Sequence, residues 1–315
     1  MKTRPLAFRQ SSLRCAVLAV AVALAVAGCG GHKRSPSVAD QPISGGLTTL
    51  GRELPASIRA TREIRVGADI SYAPLEFYNA LAPDVLDRPA GEPAPQVQGI
   101  DPDLANALGR KLGVRFTFVS VPFDNLINSL RAGHIDVIIS GMSATADRAK
   151  LISFVEYFKA GTSIVVRRAA AGGVHSLQDL CGKTVAVQAG TTQEELANTQ
   201  KGLCGKKQLT VRSLPSGSQV LLQVKHRQAA AALVDFPVAA YNAKVSAAGR
   251  DFAVVGNQID PGPFGIGVRK DAGQLREVVR TALEQSFADG TYHQILGSWN
   301  VTDGAVTSAG VLGAP

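Results

Sequence analysis

The sequence predicts an α/β fold of mainly parallel sheet flanked by helices, divided into two lobes. From residue 64 onward, short β-branched runs alternate with helical patterns. That alternation is the signature of strands joined by crossover helices. It continues to about residue 300, more chain than one open sheet ordinarily takes up.

The strands expected are Ile64–Ala68, Val114–Val119, Ile135–Ser140, Thr162–Val166, Thr184–Gln188, Leu209–Ser213, Ala231–Val234, Phe252–Val255 and Phe264–Val268. Each is a short apolar run bounded by turn residues. Between them the spacing predicts helices at Pro102–Leu112, Phe123–Arg131, Thr192–Gln200, Ser218–Lys225, Pro237–Ala247 and Gln274–Asp289. Asp101-Pro102 reads as an N-cap followed by proline at the first helical position. Gly113 suits the left-handed residue that ends the same helix. Asn79–Gln98, with four prolines, reads as a long inserted loop.

The first 28 residues read as an address. Lys2, Arg4, Arg9 and Arg14 precede the apolar run Cys15–Ala27. That run falls short of the roughly 20 residues needed to span a bilayer, and the pattern is that of an export signal. Val26-Ala27-Gly28-Cys29 resembles the bacterial lipobox, which implies cleavage before Cys29 and lipidation of its sulfur. The alternative is a plain secretory signal. Acyl chains would hold the protein on a membrane surface. Residues 29–61 are expected to form the lipidated cysteine and a flexible tether, and 301–315 a disordered tail. No other segment is long and apolar enough for a transmembrane helix.

With Cys15 removed and Cys29 lipidated, Cys181 and Cys204 remain. An even pair in an exported protein reads as a disulfide. A zinc site is not expected, because there is no CxxC and the five histidines are scattered. The net charge of +8 is inflated by the signal. Without residues 1–28, 29 basic side chains face 25 acidic ones, an ordinary surface rather than a nucleic-acid footprint. No cofactor is expected, since no P-loop, GxSxG or HExxH is present.

In open α/β sheets ligands bind beyond the carboxyl ends of the strands. Those ends supply Asp69 and then Tyr72. They also supply Ser140, Gly141, Met142 and Ser143 with Arg148 close behind, Gln188, Thr191 and Thr192, and Asp235. Each has a plain alternative. Asp69 could form a turn, Thr191 or Thr192 could cap a helix, Asp235 could cap the helix at Pro237, and Arg148 could be solvated. Together they offer one guanidinium, two carboxylates and several hydroxyls and amides. That set suits a small zwitterion, because arginine grips a carboxylate through two hydrogen bonds and aspartate accepts from an ammonium.

The stretches IRVGADISYAPLEF, GIDPDLANALGRKLG, IDVIISGMSATADRAK, FKAGTSIVVRR, SLQDLCGKTVAVQAGTTQEEL, VDFPVAAYNAK, FGIGVRK and DGTYHQILGSWNV occur in this order. They resemble the polar amino-acid solute-binding proteins of ABC importers, family 3 of the bacterial extracellular solute-binding proteins. The resemblance implies a two-lobed clamp of the periplasmic-binding-protein type (type II), with lobe 1 at 62–161 and 259–300 and lobe 2 at 162–258. It implies that Arg148, the Ser143 N–H and Thr192 hold an α-carboxylate, while Asp235 and the Gly141 carbonyl hold the α-ammonium. Tyr72 and Phe123 would pack on the ligand, and Asp69 and Gln188 would face its side chain. An ABC importer permease is the implied partner, and a monomer is expected. One arginine against two aspartates favours a cationic or amide side chain. The expected role is binding, without catalysis, on the extracytoplasmic face of the cell membrane. A sensing receptor, or an enzyme such as a cyclic-acid dehydratase on the same fold, is the alternative.

Overall fold

A computed structural model describes residues 45–78 and 96–314. The signal segment, Cys29 and most of the Asn79–Gln98 insertion lie outside the described residues.

The described chain opens with a short 3-10 turn, Leu50–Glu53, and α1 (Ala56–Thr61), which leads into β1 (Glu63–Ala68). In β1 alternate residues Ile64, Val66 and Ala68 are fully buried, the period of two that a strand requires. β2 (Ser71–Tyr72), β3 (Glu76–Tyr78) and β4 (Val97–Gln98) form a small antiparallel sheet beside it. α2 (Ile100–Leu112) then buries Leu104, Leu108 and Leu112 on one stripe and returns the chain to β5 (Arg115–Ser120), parallel to β1. α3 (Leu126–Arg131) leads to β6 (Val137–Ile138), which pairs in parallel with the other edge of β1.

After α4 (Ala146–Ala149) comes the first of two long strands. β7 (Ser153–Arg167) runs antiparallel to β11 (Phe252–Val268) along nearly its whole length. Between them in sequence lie β8 (Thr184–Gln188), α5 (Thr192–Leu203), β9 (Thr210–Leu214), α6 (Gly217–Lys225), β10 (Ala231–Asp235) and α7 (Phe236–Val245). α8 (Gly273–Ala288) and α9 (Thr291–Trp299) follow β11, and β12 (Val311–Leu312) ends the chain. Among the described residues the large sheet has nine strands in the order β5-β1-β6-β11-β7-β10-β8-β9, with β12 on β7.

The sheet therefore has two parallel wings, β5-β1-β6 and β10-β8-β9, joined by the β7–β11 ladder. The first wing packs with α2, α8 and α9 around Leu104, Leu108, Tyr157, Phe264 and Leu283. The second has its own cluster of Ile164, Val166, Leu180, Val185, Val187 and Leu233. Between the wings the β11 register slips at Val255/Ile259 and again at Ile259/Gly262. Pro261 and Pro263 cannot donate to a ladder there, and the Gln258 side chain instead accepts the Gly161 N–H at 2.8 Å.

Several details correct the sequence expectations. Phe252–Val255 and Phe264–Val268 are one strand, not two. Asp101 does not cap α2, because the helix begins at Ile100 after Gly99, and the Asp101 carboxylate is buried inside the fold. Part of the expected tether, residues 45–61, is folded, with Leu54 and Ile58 buried against α2 and its neighbours. The expected disordered tail is also folded. Gly304 meets the Phe158 ring, the Gly310 carbonyl accepts the Glu156 N–H at 2.8 Å, and the Gly313 carbonyl accepts from Ser153 Oγ at 2.8 Å.

Cys181 and Cys204 are disulfide-bonded, tying the approach to β8 to the end of α5. Closing a loop of this length contributes about 3 kcal/mol by limiting the unfolded chain. Replacing both cysteines by serine should lower the unfolding free energy by about that amount. Urea unfolding followed by circular dichroism measures the loss, and a double variant as stable as the parent would show that the bridge does not constrain the unfolded chain.

Candidate functional site

The carboxyl ends of β1, β6, β8 and β10 point into one region between the wings, and each delivers a polar group. After β6 the chain turns sharply at Gly141, whose φ is +53°. A Cβ there would lie 2.6 Å from Leu75 Cδ1, so the turn requires glycine. The turn leads to Thr145, whose hydroxyl caps the short α4 by accepting the Arg148 N–H at 3.3 Å. The cap folds Arg148 back over the turn. Its Nη1 donates to the Ser143 carbonyl and its Nη2 to the Gly190 carbonyl, both at 2.9 Å. The guanidinium lies 5.5 Å from the centre of the Phe123 ring, within cation–π range. Burial lowers the Arg148 pKa, and the charges of Glu195 and Asp235 oppose the shift.

β8 ends at Gln188, and Thr191 is the N-cap of α5. Its hydroxyl accepts the Glu194 N–H at 3.2 Å and donates to the Gln188 carbonyl at 2.7 Å, while Glu194 accepts the Gly190 N–H at 2.8 Å. This reciprocal capping fixes the first turn of α5, whose amides and positive dipole end face the site. The Thr192 hydroxyl lies 3.5 Å from that of Ser143.

β10 ends at Asp235, which precedes α7 but makes no side-chain cap there. Its carboxylate turns inward. Oδ2 accepts from the Tyr72 hydroxyl at 2.9 Å and Oδ1 from Gln193 Nε2 at 2.8 Å. Burial pushes Asp235 up to about 6, against the hydrogen bonds from Tyr72 and Gln193 and the charge of Arg148. Asp69, just past the end of β1, accepts a hydrogen bond from the Gln188 side chain. Its pKa is raised, chiefly by burial and slightly by Asp124.

Of the sequence-predicted residues, Tyr72, Phe123, Gly141, Ser143, Arg148, Gln188, Thr191, Thr192 and Asp235 surround a single space of about 10 Å³, room for roughly one water. Three others are not on its wall. Ser140 points away, with its hydroxyl donating to Glu76 at 2.6 Å and accepting the Asp69 N–H at 3.0 Å. Met142 is 1% exposed and packs with Leu126, Leu130 and Ile152. Asp69 stands behind Gln188. Gln193 lines the space and was missed, although its place beside Thr192 in the first turn of α5 was a usable signal. A larger cavity of about 280 Å³ lies on the other side of Tyr72, lined by Leu221, Val238 and Phe252, and its one charged side chain, Lys225, is paired with Asp251.

The same residues join the two wings. Tyr72 meets Asp235, Asp69 meets Gln188, and Arg148 meets Gly190. Backbones approach closely at two glycines. A Cβ on Gly217 would lie 2.3 Å from the Tyr72 ring, and one on Gly190 would lie 2.9 Å from Asp124 Cα. The arrangement sets a half-buried cation and a buried anion on facing walls. Their partners are carbonyls, a hydroxyl and an amide, each replaceable by a small zwitterion. Among the described residues no group of three or more His, Cys, Asp or Glu could hold a metal, and no helix is long and apolar enough to cross a membrane.

Comparison with known proteins agrees with this geometry. The family model for bacterial extracellular solute-binding proteins, family 3, matches residues 64–302. The histidine-binding periplasmic protein of Salmonella typhimurium is 30% identical over 239 residues, which are 74% of this chain and 86% of that protein. The lysine/arginine/ornithine-binding periplasmic protein of Escherichia coli K12 is 31% identical over 237 residues, 74% of this chain and 85% of that one. Among solved structures, an ancestral amino acid-binding protein described as a precursor of cyclohexadienyl dehydratase matches with a TM-score of 0.67 and 32% identity. That match covers 80% of this chain and 99% of the other.

Asp235 gives this region a pH signature. Its folded pKa of about 6 lies above the ordinary 3.8, so its stabilising contribution is complete below about pH 4 and is lost as pH rises through about 6. The difference corresponds to about 3 kcal/mol. Asp235→Asn, which mimics the protonated acid, should flatten the fall in melting temperature across this window, leaving the slope due to the other buried carboxyls, Asp69, Glu76 and Asp101. Parallel curves for variant and parent would refute burial as the cause.

Proposed function

The chain belongs to the bacterial extracellular solute-binding proteins of family 3, and from that membership we propose that it captures a polar amino acid between its two lobes and delivers it to the permease of an ABC importer. The observation that carries this reading is the facing pair of half-buried Arg148 and buried Asp235, both held by neutral partners. The ligand's α-carboxylate replaces the Ser143 and Gly190 carbonyls on Arg148 and adds the Ser143 N–H and Thr192. Its α-ammonium replaces Tyr72 and Gln193 on Asp235 and adds the Gly141 carbonyl. Its side chain extends past Gln188 toward Asp69, packed by Tyr72 and Phe123.

Asp69 and Asp235 outnumber Arg148, so a cationic or amide side chain is favoured over an acidic one. A glutamate ligand would bring a third carboxylate into a buried site, at a cost of several kcal/mol. The histidine-binding and lysine/arginine/ornithine-binding relatives support this preference.

A space of about 10 Å³ cannot hold an amino acid, so capture requires the lobes to part. We place lobe 1 at 62–161 and 259–300 and lobe 2 at 162–258, with bending at Lys159–Thr162 and Val255–Gln258. The interrupted β11 register supports these hinges, because a ladder with fewer bonds bends more easily. Cys29 carries the lipid anchor, which places the domain on the extracytoplasmic face of the membrane. A second reading is a dehydratase acting on a small cyclic acid; the match to a dehydratase precursor favours it.

Calorimetric titration of the unfolded and refolded protein with lysine, arginine, ornithine, histidine, glutamine and glutamate tests the proposal. One basic or amide ligand should bind tightly. Arg148→Ala and Asp235→Ala should each weaken it by about two to three orders of magnitude, the cost of leaving a buried charge unpaired. Asp69→Asn should shift preference from basic toward neutral side chains. Glutamate as the tightest ligand would overturn the charge assignment. Silence across the panel would overturn the amino-acid reading, and turnover of a cyclic acid would establish the second.

A further inference from the structure

Behind the turn that lines the site lies a group of carboxyls that capture of an amino acid does not use directly. Glu76 and Asp101 are both 0% exposed, and Asp69 is next to them at 8%. Asp101 has two strong donors, the Tyr157 hydroxyl at 2.8 Å on Oδ1 and the Gly141 N–H at 2.9 Å on Oδ2. It also stands in the first turn of α2, where the helix dipole favours a negative charge. Glu76 has one donor, the Ser140 hydroxyl at 2.6 Å on Oε1. Its Oε2 is buried and accepts from no N–H or O–H. Glu76 and Asp101 hold the neighbouring residues Ser140 and Gly141, and the charge of Asp101 adds to burial in raising the Glu76 pKa.

Two carboxyls so placed share one proton, because both cannot be charged in a buried site. The titratable groups facing the pair are Asp69 on β1, Tyr72 on β2 and Tyr157 on β7, and none is a cation. The donor count decides which oxygen holds the proton. Asp101 is satisfied as an anion, and the orphan Oε2 of Glu76 is satisfied only as a donor.

We propose that Glu76 is a neutral carboxylic acid that donates from Oε2 to Asp101, and that it acts as a positioning residue for the ligand site. From Oε1 it holds the Ser140 hydroxyl, which in turn accepts the Asp69 N–H. Through Asp101 it holds the Gly141 N–H, so that the Gly141 carbonyl is aimed at the ligand. The proton lets two acidic side chains fix two successive backbone positions without adding a further negative charge beside Asp69. This role in binding rests on the assignment of Asp69 and Gly141 as ligand contacts; the proton itself does not.

Glu76→Gln keeps the shape, the acceptor toward Ser140 and a donor toward Asp101. Burial raises the Glu76 pKa well above its ordinary value, so its contribution is present at low pH and lost as pH rises through the folded value. The Gln variant should therefore melt close to the parent at about pH 5 and gain on it progressively toward about pH 9. The infrared carbonyl band of a protonated carboxylic acid, present in the parent, should lose intensity in the variant. With whichever amino acid the panel identifies, Gln should keep affinity within about threefold, while Glu76→Ala should lose about tenfold or more. A Gln variant that melts a fixed interval below the parent at every pH, or an unchanged infrared band, would overturn the proposal even if ligand binds. Should no amino acid bind, the thermal and infrared results still decide the proton, and the positioning role falls with the proposed function. If Glu76→Ala does not fold, the Gln variant and the band suffice.

Discussion

The β7–β11 ladder is the constraint on which the rest of the structure depends. Its two strands run through both wings of the sheet, so each wing is built outward from the same pair. β6 and β1 extend from β11 on one side, and β10 and β8 extend from β7 on the other. Because the ladder continues from wing to wing, the carboxyl ends of β1 and β6 face those of β8 and β10 across a narrow gap. The candidate site residues at these strand ends, Asp69, Gln188 and Asp235, need no long loops to reach one another. They need only to stand at or just past the end of each strand.

That geometry creates an electrostatic obligation. Asp69 and Asp235 are buried and Arg148 is half-buried, and a charge drawn from water must be partnered. The fold meets the obligation with its own atoms, using Gln188, Tyr72, Gln193 and two backbone carbonyls. On the proposed function, an amino acid competes here with intramolecular partners of similar chemistry rather than entering a site lined with unsatisfied groups. Affinity in such a site is a difference between two sets of hydrogen bonds, and selectivity follows from which set carries the better-placed charge.

The strand ends were legible in the sequence because β-branched runs stop at them and polar residues come at once. Arg148, Gln188 and Asp235 emerge from that rule and stand in the structure at the gap. Directions inside a sharp turn were less legible. Ser140 and Met142 face away from the gap while Gly141 and Ser143 face it, an alternation that would separate the two pairs only if the strand's period of two were carried on past its end. Asp101 reads as a cap because it precedes proline, yet Gly99 lets the helix start sooner and swings the carboxylate inward. The joining of Phe252–Val255 to Phe264–Val268 was hidden by Pro261, Gly262 and Pro263, which locally spell a loop. The pairing that holds them in line comes from β7, far away in sequence.

The closing segment has a consequence of a different kind. β10 covers the outer side of β7 only from Thr162 onward, so the outer side of Ser153–Glu156 is occupied by Gly310 and β12. The segment it covers, Ser-Phe-Val-Glu-Tyr-Phe, is rich in β-forming side chains and carries a single charge. Uncovered, it would present a row of backbone donors and acceptors to any passing chain. The last residues thus act as a selvedge on the sheet. They keep this strand from pairing with a neighbouring molecule, a protection that matters more the higher the protein's concentration.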